Sequence, residues 1–144
     1  MNFIKILLIP LFLCLSGCAS HAAMDKYGIL FNEKLESGQY QRIETYKPFQ
    51  VIRDTSLRKC QSLGYKKFIY SVPDQGFLVL MKDKPIATAF LWGRANPHLL
   101  LLKFSESETG DIRIDFVNGS ENRIVQSEVD KDIQYLVKVI KPLV

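Results

Sequence analysis

Two strand-length segments of this chain are apolar on both faces. Phe77, Val79 and Met81 alternate with Leu78 and Leu80, and Leu99 to Leu102 is four leucines in a row. A strand with one wet face alternates apolar and polar residues, whereas an unbroken apolar run calls for a sheet covered on both sides. The chain must therefore supply or recruit a cover for each face.

The neighbouring segments define the sheet. Pro73-Asp74-Gln75-Gly76 is a tight-turn sequence between strands expected at Lys66–Val72 and Phe77–Lys82. Further strands are expected at Ile86–Trp92 and Leu99–Phe104. In Asp111–Val117, Ile112, Ile114 and Phe116 alternate with Arg113 and Asp115, a half-wet strand. Asn118-Gly119 then turns the chain into a short strand over Arg123–Gln126.

Two helices flank these strands. Phe49, Ile52, Leu57, Cys60 and Leu63 form an apolar stripe over 49–63, with Pro48 before it and Gly64 suited to a left-handed stop. A second helix is expected from about Glu128 to Lys141, with Ser127 and Asp130 as a capping box and Val129, Ile133, Leu136, Val137 and Ile140 on one face. The expected fold is α+β: an antiparallel four- to five-stranded meander, flanked by an N-terminal and a C-terminal helix packed on one sheet face. The other face falls to a partner or to the peripheral segment 26–47. That segment reads as partly ordered: it carries Tyr27, Ile29, Leu30, Phe31, Leu35, Tyr40, Ile43 and Tyr46, and it has loose strand character over 39–46. At 144 residues the chain suffices for one domain. Such helix-flanked sheets resemble, at the level of fold, the helix-grip-like domains of some outer-membrane assembly lipoproteins.

The first residues read as an address. Lys5 precedes an apolar run from Ile6 to Leu15. Ten helical residues span roughly 15 Å, half of a hydrocarbon core, so this is a secretory signal and not a membrane span. Leu15-Ser16-Gly17-Cys18 resembles the lipobox of bacterial lipoproteins. The resemblance implies cleavage between Gly17 and Cys18, S-diacylglycerol and N-acyl groups on Cys18, and membrane attachment through those chains. It divides the chain into a signal peptide, 1–17, a lipidated cysteine and tether, 18–25, and one periplasmic domain, 26–144. Ala19, where an Asp commonly retains Gram-negative lipoproteins at the inner membrane, implies the periplasmic face of the outer membrane. In a Gram-positive host the anchor would sit in the plasma membrane.

No catalytic residue is assigned. Cys60 lies on the apolar stripe of its helix, where a free cysteine is buried and inert. His98 reads as a surface-loop residue after Pro97, and His21 stands close behind the anchor. The three carboxylates of Ser105–Asp111 fit a solvated hairpin loop and lack EF-hand spacing. Neither a metal site nor a cofactor is expected beyond the covalent lipid. The formal net charge of +4, without clustered basic faces, does not suit nucleic acid. Charge is instead segregated: eight basic and three acidic residues fall between Arg53 and Arg94, three basic and eight acidic between Ser105 and Asp132. The reading is a non-enzymatic, lipid-anchored domain that binds a periplasmic protein partner or assists envelope assembly. Its alternatives are a carrier of an apolar ligand between helix and sheet, and a small hydrolase or transferase with an unrecognised site.

Overall fold

The computed structural model describes residues 26–67, 71, 76–82 and 97–144. In chain order these form helix α1 over 26–36, strand β1 (Gln41–Thr45), helix α2 (Phe49–Ser62), strands β2 (Lys66–Lys67), β3 (Phe77–Lys82), β4 (His98–Glu106) and β5 (Ile112–Asn118), and helix α3 (Arg123–Ile140). A 3-10 turn, Lys141–Leu143, follows. The fold is α+β: among the described residues, one open antiparallel five-stranded sheet with three helices. The expected strand Ile86–Trp92 lies outside the described residues, as do most of Lys66–Val72 beyond Lys67 and the residues Pro73-Asp74-Gln75.

The sheet order is β1-β5-β4-β3-β2. β2 to β5 follow one another as a meander, but β1 pairs at the far edge with β5, from Gln41↔Phe116 to Thr45↔Ile112. The chain must therefore cross the sheet between β1 and β2, and α2 carries it. Its 14 residues measure about 21 Å, and four inter-strand spacings span about 19 Å. One helix is long enough to go from edge to edge. It stops where Gly64 takes φ +89°. The amide of Gly64 donates to the carbonyl of Gln61 and that of Tyr65 to the carbonyl of Cys60, which is the Schellman arrangement. The turn delivers Tyr65 into the core.

The alternation of side chains sorts the sheet into two cores. Leu78, Leu80, Leu100, Leu102, Ile114 and Phe116 face α2 and α3 and pack with Ile52, Val129, Ile133 and Leu136. Val79, Leu99, Leu101 and Val117 point the other way, onto Phe31 of α1. Tyr27, Leu30, Leu35, Phe77 and Met81 surround that second core, and the Phe31 and Phe77 rings meet edge to face at 5.6 Å. Of the two covers considered for the second face, segment 26–47 supplies it, with a helix over that face and an edge strand beside β5. Arg42 on β1 fixes the edge by a fork to Asp115, Nε to Oδ1 at 2.6 Å and Nη2 to Oδ2 at 3.0 Å. A bidentate pair of this kind sets register as well as adding energy.

The end of β5 departs from expectation. Residues Arg123–Gln126 are not a strand but the first turn of α3. Asn122 caps that turn, its Oδ1 accepting from the amides of Ile124 at 2.9 Å and Val125 at 3.4 Å. This places the cap five residues before Ser127, which lies exposed within the helix. Val125 and Val129, one turn apart on the buried face, extend the apolar stripe back to the cap. Asn118 holds the helix down by donating Nδ2 to the Gln126 carbonyl and to Asp130 Oδ1, each at 2.8 Å.

Candidate functional site

Ionisable side chains converge at one end of β3 and β4. Lys82 and His98 are register partners there, on the face that α3 covers. Glu128 and Asp132 stand one helical turn apart on α3, spaced to meet them. His98 Nε2 lies 2.5 Å from Glu128 Oε2. Lys82 Nζ donates to Asp132 Oδ2 at 3.2 Å, and the Tyr65 hydroxyl donates to the same oxygen at 3.0 Å. The Lys82 ammonium also stands 5.5 Å from the centre of the Tyr65 ring, within cation–π reach.

His98 is therefore not a surface-loop residue. It is the first residue of β4 and only 4% exposed. Its carboxylate partner comes from thirty positions away, so no local motif could reveal it. The pair joins the sheet to α3, as Lys82 and Asp132 do four residues on. Some of the segregated charge is thus neutralised within the domain.

Cys60 lies beneath this cluster and is fully buried. Burial pushes its thiol up to about 12, with the Asp132 charge adding to the effect. Burial, then Asp132, likewise raises the Tyr65 phenol above its ordinary value. Both groups stay neutral at physiological pH, so neither is an activated nucleophile or base. Cys60 should be silent to thiol reagents in the native protein and react once urea unfolds it. Because its folded pKa is raised, the stability tied to its neutral form is complete below about pH 9 and is lost as pH rises toward about 12. The urea midpoint should fall across that window, less steeply for Cys60→Ala. Rapid labelling of the native thiol would contradict this account.

Of the Ser105–Asp111 segment, Ser105 and Glu106 are the last residues of β4, paired with Arg113 and Ile112, and only 107–111 form the loop to β5, braced internally. Thr109 Oγ1 donates to Asp111 Oδ2 at 2.9 Å, and Ser107 Oγ accepts from the Asp111 amide at 3.1 Å. Among the described residues no group of three or more His, Cys, Asp or Glu side chains is placed to hold a metal ion. No helix among them is long and apolar enough to cross a membrane. Cys18 and Gly17, the expected lipidation and cleavage positions, lie outside the described residues.

Comparison with family models and with curated proteins finds no match.

Two open grooves lie at the opposite end of β5, away from the 107–111 loop. One, of about 420 Å³, runs between the α1–β1 turn and α3, lined by Gln39, Tyr40, Asn118, Asp130 and Gln134 among others. The other, of about 800 Å³, runs between α1 and the β5–α3 connection, lined by Lys26, Ile29, Leu30, Glu33 and Glu121 among others. Lys34 and Gln126 border both. The connection forms a firm lip. The Gly119 amide donates to the Leu99 carbonyl at 2.9 Å, Ser120 Oγ accepts from the Leu99 amide at 2.9 Å, and Gln126 Nε2 donates to the Ser120 carbonyl at 2.8 Å. Neither groove is lined by His98 or Cys60. Amide side chains with Lys26 and Lys34 suit recognition by hydrogen bonding, without a nucleophile and base in contact. Sequence reasoning missed this surface because it assigned Arg123–Gln126 to a strand, which would turn Gln126 away from Asn118.

Proposed function

We propose that the chain is a lipid-anchored lipoprotein whose domain is a non-enzymatic periplasmic binding or envelope-assembly module. The acyl chains on Cys18 hold it at the membrane. The observation that carries the reading is Leu15-Ser16-Gly17-Cys18, standing eight positions before α1, a helix built into the domain. Whatever their path, eight residues reach at most about 28 Å, so the domain works at the membrane surface. A single acyl chain binds only marginally, and several on one residue make attachment effectively permanent. A binding role is supported by the division of labour among side chains. The His98–Glu128 and Lys82–Asp132 pairs clamp α3 to the sheet, while the polar groups around Gln126 and Lys34 border open grooves.

The test is Cys18→Ser. The variant should lose acylation and move from the membrane pellet to the soluble fraction, with its domain folded. A variant that still sediments with membranes after a high-salt wash would defeat the reading.

A further inference from the structure

The proposed anchor leaves open which side of the domain meets the bilayer. The starts of α1 and α3 lie together, joined by Lys26 Nζ to Glu121 Oε1 at 3.2 Å. This is the end of the domain that the tether enters. It also carries two of the most exposed aliphatic side chains: Ile29 on α1 and Ile124 on α3, each 58% exposed. Lys26 and Arg123 flank them, and the larger groove opens between Ile29 and Glu121. Aliphatic side chains beside Lys and Arg are what an interfacial surface uses: the apolar groups enter the acyl boundary and the long cations reach the headgroups. Glu33 and Glu121 share the surface, so apolar contact and the short tether, rather than net charge, provide the hold.

A second exposed apolar group lies far from the tether. Tyr46, 89% exposed, follows β1, and Leu143, 44% exposed, follows α3. Lys47 Nζ donates to the Leu143 carbonyl at 2.9 Å and joins the two. The 18 residues of α3 separate this group from Asn122 by about 27 Å.

We infer that the domain docks on the bilayer through Ile29, Ile124 and their flanking cations, with the Tyr46–Leu143 end turned away from the membrane. This inference rests on lipidation of Cys18, and the experiment separates the two. The mature protein is extracted from its own membranes with Arg123→Cys or Tyr46→Cys as its accessible thiol. It is labelled with a small fluorophore and reconstituted into phosphatidylethanolamine–phosphatidylglycerol vesicles that contain brominated acyl chains. Intact mass reports the lipid on Cys18. Quenching should be several-fold stronger at position 123 than at 46. Adding Ile29→Asp and Ile124→Asp should bring position 123 down to the level of 46. Both isoleucines are largely exposed, so these changes leave the core intact. A mass without lipid overturns both readings. A lipidated protein with equal quenching at the two positions, or with no response to the aspartates, overturns the docking surface alone.

Discussion

A chain beginning at Lys47 should fail to reach the native state, whereas one beginning at Asp25 should fold. The shorter chain lacks α1 and β1. It loses Phe31 and Ile43, 1% and 2% exposed, which contribute about 3–6 kcal/mol between them. It also strips the cover from Val79, Leu99, Leu101 and Val117, leaving one apolar sheet face in water. β5 becomes an open edge with unpaired backbone groups, a template for aggregation. These losses together approach the whole stability of an ordinary domain, about 5–15 kcal/mol. Near-ultraviolet circular dichroism and urea titration of the two chains are the measurements. Matching midpoints, without extra aggregation of the shorter chain, would show that α1 and β1 contribute little.

Gly76→Ala should destabilise the domain more than its size suggests. Gly76 takes φ +71°, which costs an L-residue roughly 1–2 kcal/mol. A Cβ built there would stand 2.6 Å from the carbonyl oxygen of Phe104, and that oxygen is backbone that cannot rotate aside. The Phe104 amide also donates to the Gly76 carbonyl at 2.8 Å, so relief of the clash would strain the pairing of β3 with β4. The expected loss is about 3 kcal/mol or more, a fall in Tm of roughly 10 °C. Gly28→Ala is the internal control. It lies within α1 with open space around its Cα, and alanine there should stabilise by about 0.5–1 kcal/mol. Equal melting of the Gly76→Ala and Gly28→Ala proteins would contradict this reading of the turn.

Both substitutions bear on what the sequence makes visible. Opposite-facing leucines at 99–102 announced a sheet with two covered faces because strand periodicity is local. The α2 stripe and its Gly64 stop were visible for the same reason. α1 was harder to see. Tyr27, Leu30, Phe31 and Leu35 have helical spacing, but Gly28 and the short length weaken the signal, so the segment read as partly ordered. The start of α3 was displaced because Ser127 and Asp130 mimic a capping box, while Asn122 makes the cap in the fold. The His98–Glu128 and Lys82–Asp132 contacts required the strand order and helix position together, and the sequence alone placed neither.

The crossing made by α2 has a consequence for how the molecule is assembled in time. Arg42 and Asp115, which lock β1 to β5, are 73 residues apart in the chain, whereas β4 and β5 are joined by a short loop. Closing the longer loop costs more chain entropy, and its contacts form late. Synthesis releases the N-terminus first. β1 therefore emerges early yet has no partner until nearly the whole chain has followed, and α1 has no sheet to cover until then. The final docking of the N-terminal segment, rather than the meander, is the step at which this domain becomes closed to solvent and to other nascent chains.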